Sequence, residues 1–268
     1  DGTTSDRSIP AEVSLPQGRL ATGISTGNEF SCAILDNHSL ACWGLNIQGQ
    51  LGDGTTTNSS TPKFVSLGNG TQVMAISSGA SHSCAINSNG RVMCWGRNNV
   101  GQLGIGNSFD TNIPTLTGLP SGSNAVMVDA GTSHTCAVLD NGDLYCWGLN
   151  ADGQLGDGTT TYKFTPTKAN LPVGRTAVMV TVGNSHTCVL LDDSSLRCWG
   201  GNSEGQLGDG TTTTPVVPNM VSTPWNNGNS VSQFNYALAA KSSRNILVSG
   251  WGIDSYSSSS LPNGFSLS

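Results

Sequence analysis

Charged residues are scarce in this chain of 268 residues, and basic residues are the scarcest. Lysine and arginine number 11 against 17 acidic residues, charged residues make up 10% of the chain, and the net charge is −6. Nucleic acids and anionic membranes are bound by clustered lysine and arginine, and the sequence contains no such cluster. We therefore expect neither nucleic acid nor a membrane surface to be a partner.

Long apolar segments and helical patterns are also missing. No uninterrupted apolar stretch approaches the roughly 18 residues of a membrane-spanning helix, so we expect no membrane insertion. No window shows an apolar period of 3.6 residues over three turns, which argues against helices. The chain starts at Asp1 without a basic and then apolar leader, so we expect any signal peptide to have been removed or omitted.

Repetition is what the sequence has in abundance. Cysteines at 32, 84, 136 and 188 are each 52 residues after the last, and a second set at 42, 94, 146 and 198 has the same spacing. Trp-Gly pairs extend the period to a fifth copy at Trp251, and Gly-Gln-Leu-Gly recurs in the first four copies. This register establishes five tandem repeats.

One repeat predicts several short strands and no helix. In the third repeat, strand-like runs cover 125–128, 134–139 and 143–147, with an Asp-Asn-Gly turn between the last two. Three or four strands in about 50 residues are typical of a propeller blade, whereas the coils of a solenoid are usually shorter. The sequence thus predicts an all-β fold, a β-propeller of about five blades with three or four strands each. We expect one domain over 1–260 and a tail or link over 261–268.

The two ends of the chain predict how the ring closes. Residues 1–4 repeat the Asp-Gly-Thr-Thr found at 53–56, so the chain begins inside a repeat. A strand within 1–18 is therefore expected to pair with the last blade, which would remove exposed sheet edges. The fifth repeat has Ala240 and Gly250 in place of cysteines, as a closing unit would.

The spacing of the cysteines predicts their pairing. The two in each repeat are ten residues apart with a turn midway, which places them opposite each other in a hairpin. Zinc binding is the alternative, but the Cys-x-x-Cys clusters of zinc sites are absent from the sequence. Stable bridges indicate an oxidising compartment, so we expect an extracellular or cell-surface location. The predicted bonds are Cys32–Cys42, Cys84–Cys94, Cys136–Cys146 and Cys188–Cys198.

The repeated His-Ser/Thr-Cys-Ala, Cys-Trp-Gly and Gly-Gln-Leu-Gly segments resemble the repeat of the regulator-of-chromosome-condensation family over nearly the whole chain. The resemblance implies blades of four strands. Members usually have seven blades and this chain has five repeats, so either the ring is smaller or the residues belong to a longer protein. Nuclear members act on a small GTPase and contact chromatin, which an acidic, disulfide-bonded chain does not match. Secreted bacterial members that dock a rim onto β-lactamases fit the expected compartment better.

Three histidines, His82, His134 and His186, recur at one phase of the repeat. They could converge on the axis and bind a metal, or each could pack beside its own disulfide and bond a backbone carbonyl. The Gly-Asp-Gly loops lack the acidic spacing of calcium loops and are interpreted as turns. The sequence contains no catalytic motif, so we expect no enzyme and no cofactor.

The loops differ between repeats more than the strands do, which favours a secreted or surface-displayed binding module whose rim loops contact a protein or a surface glycan. An inhibitor of a secreted hydrolase and a self-associating subunit of a fibre or array are the alternatives. Aromatic residues outside the repeated framework are candidate contacts: Tyr162, Phe164, Trp225 and Tyr256. Three asparagines begin N-glycosylation sequons, and each is either a glycosylation site or a simple turn residue: Asn37, Asn58 and Asn69.

Overall fold

The computed structural model describes residues 1–220, which form four β-sheets of four strands each. A 3-10 turn over Pro16–Gly18 precedes them, and in this range no helix is long and apolar enough to cross a membrane. The strands of blade 1 are β1 (Ala21–Thr26), β2 (Phe30–Leu35), β3 (Leu40–Gly44) and β4 (Ser59–Phe64). Those of blade 2 are β5 (Val73–Ser78), β6 (His82–Asn87), β7 (Val92–Gly96) and β8 (Thr111–Leu116). Those of blade 3 are β9 (Ala125–Ala130), β10 (His134–Leu139), β11 (Leu144–Gly148) and β12 (Lys163–Lys168). Those of blade 4 are β13 (Ala177–Val182), β14 (His186–Leu191), β15 (Leu196–Gly200) and β16 (Asn219–Met220).

Each blade is an antiparallel meander in which consecutive strands are neighbours. The first strands of successive blades contact one another, so they form the inner side of the array and the fourth strands form its outer edge. The repeated prolines lie within these outer strands, at Pro62, Pro114 and Pro166. Proline cannot donate to a further strand, so it protects an exposed edge from pairing with another chain. The prediction of an all-β propeller with four-stranded blades is confirmed.

The second and third strands of each blade form the predicted hairpin. Cys84 lies opposite Cys94 and Ile86 opposite Val92, and Gly90 in the turn has a φ of +69°. All four predicted disulfides are present, each joining Cα atoms 4.1 Å apart. The turn geometry and the ten-residue spacing therefore place the sulfur atoms within bonding reach.

The core is divided among the junctions between blades. At each junction an apolar set on one blade, here called its outgoing face, packs on a second set on the next blade, its incoming face. The outgoing face of blade 2 consists of Cys84, Ile86, Val92, Cys94 and Leu103. The incoming face of blade 3 consists of Ala125, Val128, Ala137, Leu139 and Trp147. Leu103 is fully buried, and one such leucine contributes about 2 kcal/mol to folding.

The N-terminal segment reproduces the link between two blades. Thr3 N donates to Asp1 Oδ1 at 2.9 Å, as Thr55 N does to Asp53 Oδ1. Leu15 packs on blade 1 at the position that Leu67 occupies on blade 2. Residues 1–20 contain no strand, and the predicted partner in the fifth repeat lies outside the described residues. Closure of the ring, the boundary at 260 and the tail at 261–268 stay predictions.

Candidate functional site

The Gly-Gln-Leu-Gly loop of each blade binds the next blade through one backbone carbonyl. The carbonyl of Gln102 in blade 2 accepts hydrogen bonds from Trp147 Nε1 and Thr135 Oγ1 of blade 3, both at 2.9 Å. Gln154 O bonds blade 4 in the same way, and Gln50 O bonds Trp95 and Ser83 of blade 2. The most specific motif of the sequence is thus part of the framework.

Two of the candidate histidines belong to the same junctions. His82 Nε2 lies 2.9 Å from Thr135 Oγ1, and His134 Nε2 lies 2.9 Å from Thr187 Oγ1. The single hydroxyl proton of Thr135 is donated to the Gln102 carbonyl, so His82 must donate through Nε2. The prediction that a backbone carbonyl is the partner is wrong for His82 and His134, because the Nε2 atom of each lies within hydrogen-bond distance of a threonine hydroxyl of the following blade.

Burial keeps these histidines neutral. Desolvation lowers the pKa of His82 to about 4, and the pKa of His134 falls to about 3 through desolvation and the two neighbouring histidines. Desolvation also lowers the pKa of His186, which is only half-buried. The Nδ1 atoms of His82 and His134 are buried without a hydrogen-bond partner.

Among residues 1–220, no three or more histidine, cysteine or acidic side chains are grouped closely enough to hold a metal ion. In the Gly-Asp-Gly loop of blade 1, Asp53 Oδ1 accepts from Thr55 N at 2.9 Å and Thr55 Oγ1 at 2.8 Å. Such a carboxylate stabilises a turn of its own loop.

The loops between third and fourth strands form one rim of the array, and one of these loops carries a highly exposed aromatic residue. Phe109 in the loop of blade 2 is 76% exposed, although its backbone is fixed. Asn98 Nδ2 donates to Phe109 O at 3.0 Å, and Phe109 N donates to Asn107 Oδ1 at 2.9 Å. A held backbone with a free ring is suited to contact, since little backbone freedom remains to be lost on binding.

Two predicted contact aromatics lie beside this loop. Tyr162 and Phe164 are 39% and 40% exposed, and Phe164 packs against Gly101 of the blade 2 loop. Gly106 N of the same loop donates to Phe164 O at 2.8 Å. The loop that carries Phe109 therefore lies on the strand that carries Phe164, at the junction of blades 2 and 3. We call Phe109, Tyr162 and Phe164 the aromatic rim patch.

Sequence reasoning missed Phe109, although a signal existed. The equivalent positions of the other three described loops, 57, 161 and 213, all hold threonine. An aromatic residue that breaks an otherwise constant position indicates a local role. Trp225 and Tyr256 lie outside the described residues.

The three sequon asparagines are exposed and lie in turns or loops. Asn37 Oδ1 accepts from Ser39 Oγ at 2.7 Å, and Asn58 Oδ1 accepts from Asn46 N at 2.8 Å. Asn69 belongs to the turn before β5. Glycosylation at these residues stays a prediction.

Four-stranded blades, joined by a loop carbonyl that binds the tryptophan of the next blade, define a β-propeller of tandem repeats. The model of the RCC1-like domain matches residues 1–258, and the chain belongs to that family. The solved structure of human WBSCR16 has a TM-score of 0.69 and 22% identity, covering 76% of this chain and 53% of that one. Yeast RCC1 (Prp20), solved bound to Kap60, has a TM-score of 0.65 and 23% identity, covering 76% and 49%. At these identities the two structures show the fold alone.

Curated relatives are more similar in sequence. The chain is 32% identical over 221 residues to the ultraviolet-B receptor UVR8 of Arabidopsis thaliana, which covers 82% of this chain and 50% of the receptor. It is 30% identical over 204 residues to the probable E3 ubiquitin-protein ligase HERC4 of Homo sapiens, covering 75% of this chain and 19% of the ligase. The chain thus spans half or less of the length of these two relatives.

Proposed function

We propose that this chain is a non-enzymatic binding module that contacts another protein through the aromatic rim patch. Phe109 carries the proposal, because a phenylalanine side chain 76% exposed on a fixed loop has no role in the framework of its own blade. Aromatic residues are enriched among the residues that dominate binding energy at protein interfaces. Yeast RCC1, another propeller of this type, is bound to Kap60 in its solved structure, which supports protein binding as a use of the fold.

We further propose that the module works outside the cell or at the cell surface. The support is chemical: four disulfides hold the four described blades, and such bonds persist in oxidising environments. The same patch would serve inhibition of a secreted hydrolase or recognition of a surface glycan, so the binding test includes both kinds of partner.

The test compares binding by the intact chain and by three alanine variants. Immobilised protein is exposed to the extracellular proteins and glycans of its native source, and each bound partner is then titrated. We expect Phe109→Ala to weaken the main complex at least tenfold, as an aromatic hot spot does. Phe164→Ala should weaken it less, because that ring is partly covered by the loop.

Val173→Ala is the matched control, since Val173 is fully exposed in the loop at the opposite end of β12. Its binding should match that of the unchanged chain. Equal binding by all variants would place the contact elsewhere, and the aromatic rim patch would then have no part in function.

A further inference from the structure

Three Asn-Gly pairs lie within the described residues, at 69–70, 89–90 and 141–142, and two more at 227–228 and 263–264 lie outside them. In such a pair the backbone nitrogen of glycine can attack the side-chain carbonyl of asparagine, because glycine has no Cβ to hinder the approach. The attack requires a glycine N–H without another hydrogen bond and an asparagine that is free to turn toward it. The three described pairs differ in both respects.

Two of the pairs are held at the tips of central hairpins. Gly90 N donates to Asn87 O and Gly142 N donates to Leu139 O, both at 2.9 Å. Asn141 Oδ1 also accepts from the backbone N–H two residues on, at 2.9 Å. Each tip lies within a loop that a disulfide closes between residues ten apart. Attack at either tip therefore requires a turn bond to break in a loop that cannot open widely.

The first pair lacks these restraints. Asn69 and Gly70 are at the centre of the turn before β5, which is closed by a bond from Thr71 N to Gly68 O at 3.0 Å. Neither the Gly70 N–H nor the Asn69 side chain has a hydrogen-bond partner among residues 1–220. Asn69 is exposed and lies between the disulfide loops of blades 1 and 2. The attacking and the attacked group are therefore both free in the folded protein.

The fold does not require asparagine in this turn. Each described blade has the same turn before its first strand, with a glycine of positive φ at 18, 70, 122 and 174. The residue before that glycine is Gln17, Asn69, Ser121 or Val173. Serine and valine have no amide to lose, and glutamine would have to close a larger ring, which forms far more slowly. Within residues 1–220, only the turn of blade 2 is therefore suited to react.

We propose that Asn69 is a site of spontaneous modification to aspartate and isoaspartate through a succinimide. The Gly70 nitrogen bonds to Asn69 Cγ and gives up its proton, and the side-chain amide nitrogen leaves with that proton as ammonia. Water then opens the ring. Cleavage of the bond between Cγ and nitrogen gives aspartate, whereas cleavage at the main-chain carbonyl gives isoaspartate, whose main chain runs through Cβ and Cγ.

The modification adds a negative charge to the turn and, as isoaspartate, one atom to its main chain. The fold should tolerate both, because Leu67 packs on the core before the turn and Val73 is fully buried after it. The reaction also destroys the sequon that begins at Asn69, while a glycan on the side-chain nitrogen would hinder the loss of ammonia. Modification and glycosylation therefore compete for this residue.

The test uses the full chain with its disulfides intact, made in a host that attaches no N-glycans. The protein is kept in mildly alkaline buffer, and peptide mass analysis follows the three pairs over time. We expect the Asn69 peptide to change from amide to acid and to separate into aspartate and isoaspartate forms. It should react at least about fivefold faster than the other two, since one hydrogen bond of about 1 kcal/mol supplies that factor.

Two controls connect the rate to the structure. In the reduced chain unfolded by denaturant, the three pairs should react at similar rates, because the turn bonds and disulfide loops are gone. Gly70→Ala should slow the reaction at Asn69 several-fold and should still fold, since a Cβ at Gly70 would have nothing within 4 Å. Equal rates at the three pairs in the folded chain would overturn the proposal, as would an unchanged Asn69 or a product without isoaspartate. A rate difference that persists in the unfolded chain would overturn it too.

Discussion

The tip of each central hairpin is held by a residue in the left-handed backbone region. Gly142 has a φ of +79°, whereas His38 and Ser194 have values of +63° and +64° without being glycine. A side chain in that region costs about 1–2 kcal/mol. A residue other than glycine also makes the unfolded chain less flexible, which favours folding and offsets part of this cost.

We expect His38→Gly to raise the free energy of unfolding by about 1 kcal/mol. Gly142→Ser is the reverse control and should lower it, because a Cβ at Gly142 would lie 2.4 Å from Thr176 Cβ. Urea denaturation measures both. A less stable His38→Gly protein would show that the imidazole contributes a contact worth more than the backbone strain.

Thr135 links two blades through one hydroxyl. It donates to Gln102 O and accepts from His82 Nε2, so Thr135→Val leaves a buried imidazole N–H without a partner. We expect a loss of about 2–3 kcal/mol in the free energy of unfolding. Ser83→Ala is the matched control, because Ser83 binds only the Gln50 carbonyl, which keeps its bond from Trp95, and about 1 kcal/mol should be lost. Similar losses in the two variants would mean that the histidine bond adds nothing.

At the scale of the hairpin, the disulfides differ in access. Cys84 and Cys136 are fully buried, whereas Cys188 is half-buried. Exchange requires a thiolate to reach a disulfide sulfur, so Cys188–Cys198 should be reduced first. Alkylation and peptide mass analysis during stepwise reduction would report the order. If a disulfide of blade 2 or 3 opened first, opening of the blade rather than static exposure would set the rate.

Removing a single bridge tests how much each hairpin depends on it. By the chain-entropy relation, a loop closed by residues ten apart gains about 3 kcal/mol from its disulfide. Cys136→Ala combined with Cys146→Ala should therefore lower the free energy of unfolding by about that amount and leave the fold intact, as far-ultraviolet circular dichroism would check. Global unfolding of this variant at neutral pH would contradict the idea that the junctions hold each blade.

The hairpins could be predicted from sequence because everything that fixes them is local. Ten residues, a turn and two β-rich flanks determine that Cys84 faces Cys94. The partner of His82 could not be predicted in this way, because Thr135 is 53 residues away and a period of 52 does not say how one blade is placed against the next. The fourth, outer strand of each blade could be predicted only from the family resemblance. The proline at its centre argues against a strand unless that strand lies at the edge of a sheet.

At the scale of the whole molecule, the buried histidines predict sensitivity to acid. Their pKa values in the folded chain, about 4 for His82 and about 3 for His134, lie below the ordinary 6.5. Between pH 6.5 and 4 the unfolded chain therefore binds protons that the folded chain does not. Stability is fully present above pH 6.5 and falls as the pH drops, by about 1.4 kcal/mol per pH unit for each histidine.

The matched control gives the junction of blades 2 and 3 the residues found at the junction of blades 1 and 2. His82→Phe with Thr135→Ser copies Phe30 and Ser83 of the first junction, and should make the loss of stability per pH unit smaller by about 1.4 kcal/mol. Burial raises the pKa of Asp129, which changes stability in the opposite direction, but this contribution is common to both proteins and cancels. Equal slopes for the two proteins would mean that His82 is accessible to protons in the folded state.

The hydrogen bonds to the carbonyl of Gln102 have a consequence for how such proteins evolve. The bond from one blade to the next uses a main-chain oxygen on the donor side, and a tryptophan with a threonine or serine on the acceptor side. Each repeat encodes both halves, so a duplicated stretch of gene inserts a blade that already matches its neighbours on either side. Gain or loss of a blade is then a single genetic event with no compensating mutation, and the number of blades can drift during evolution while the junction stays the same.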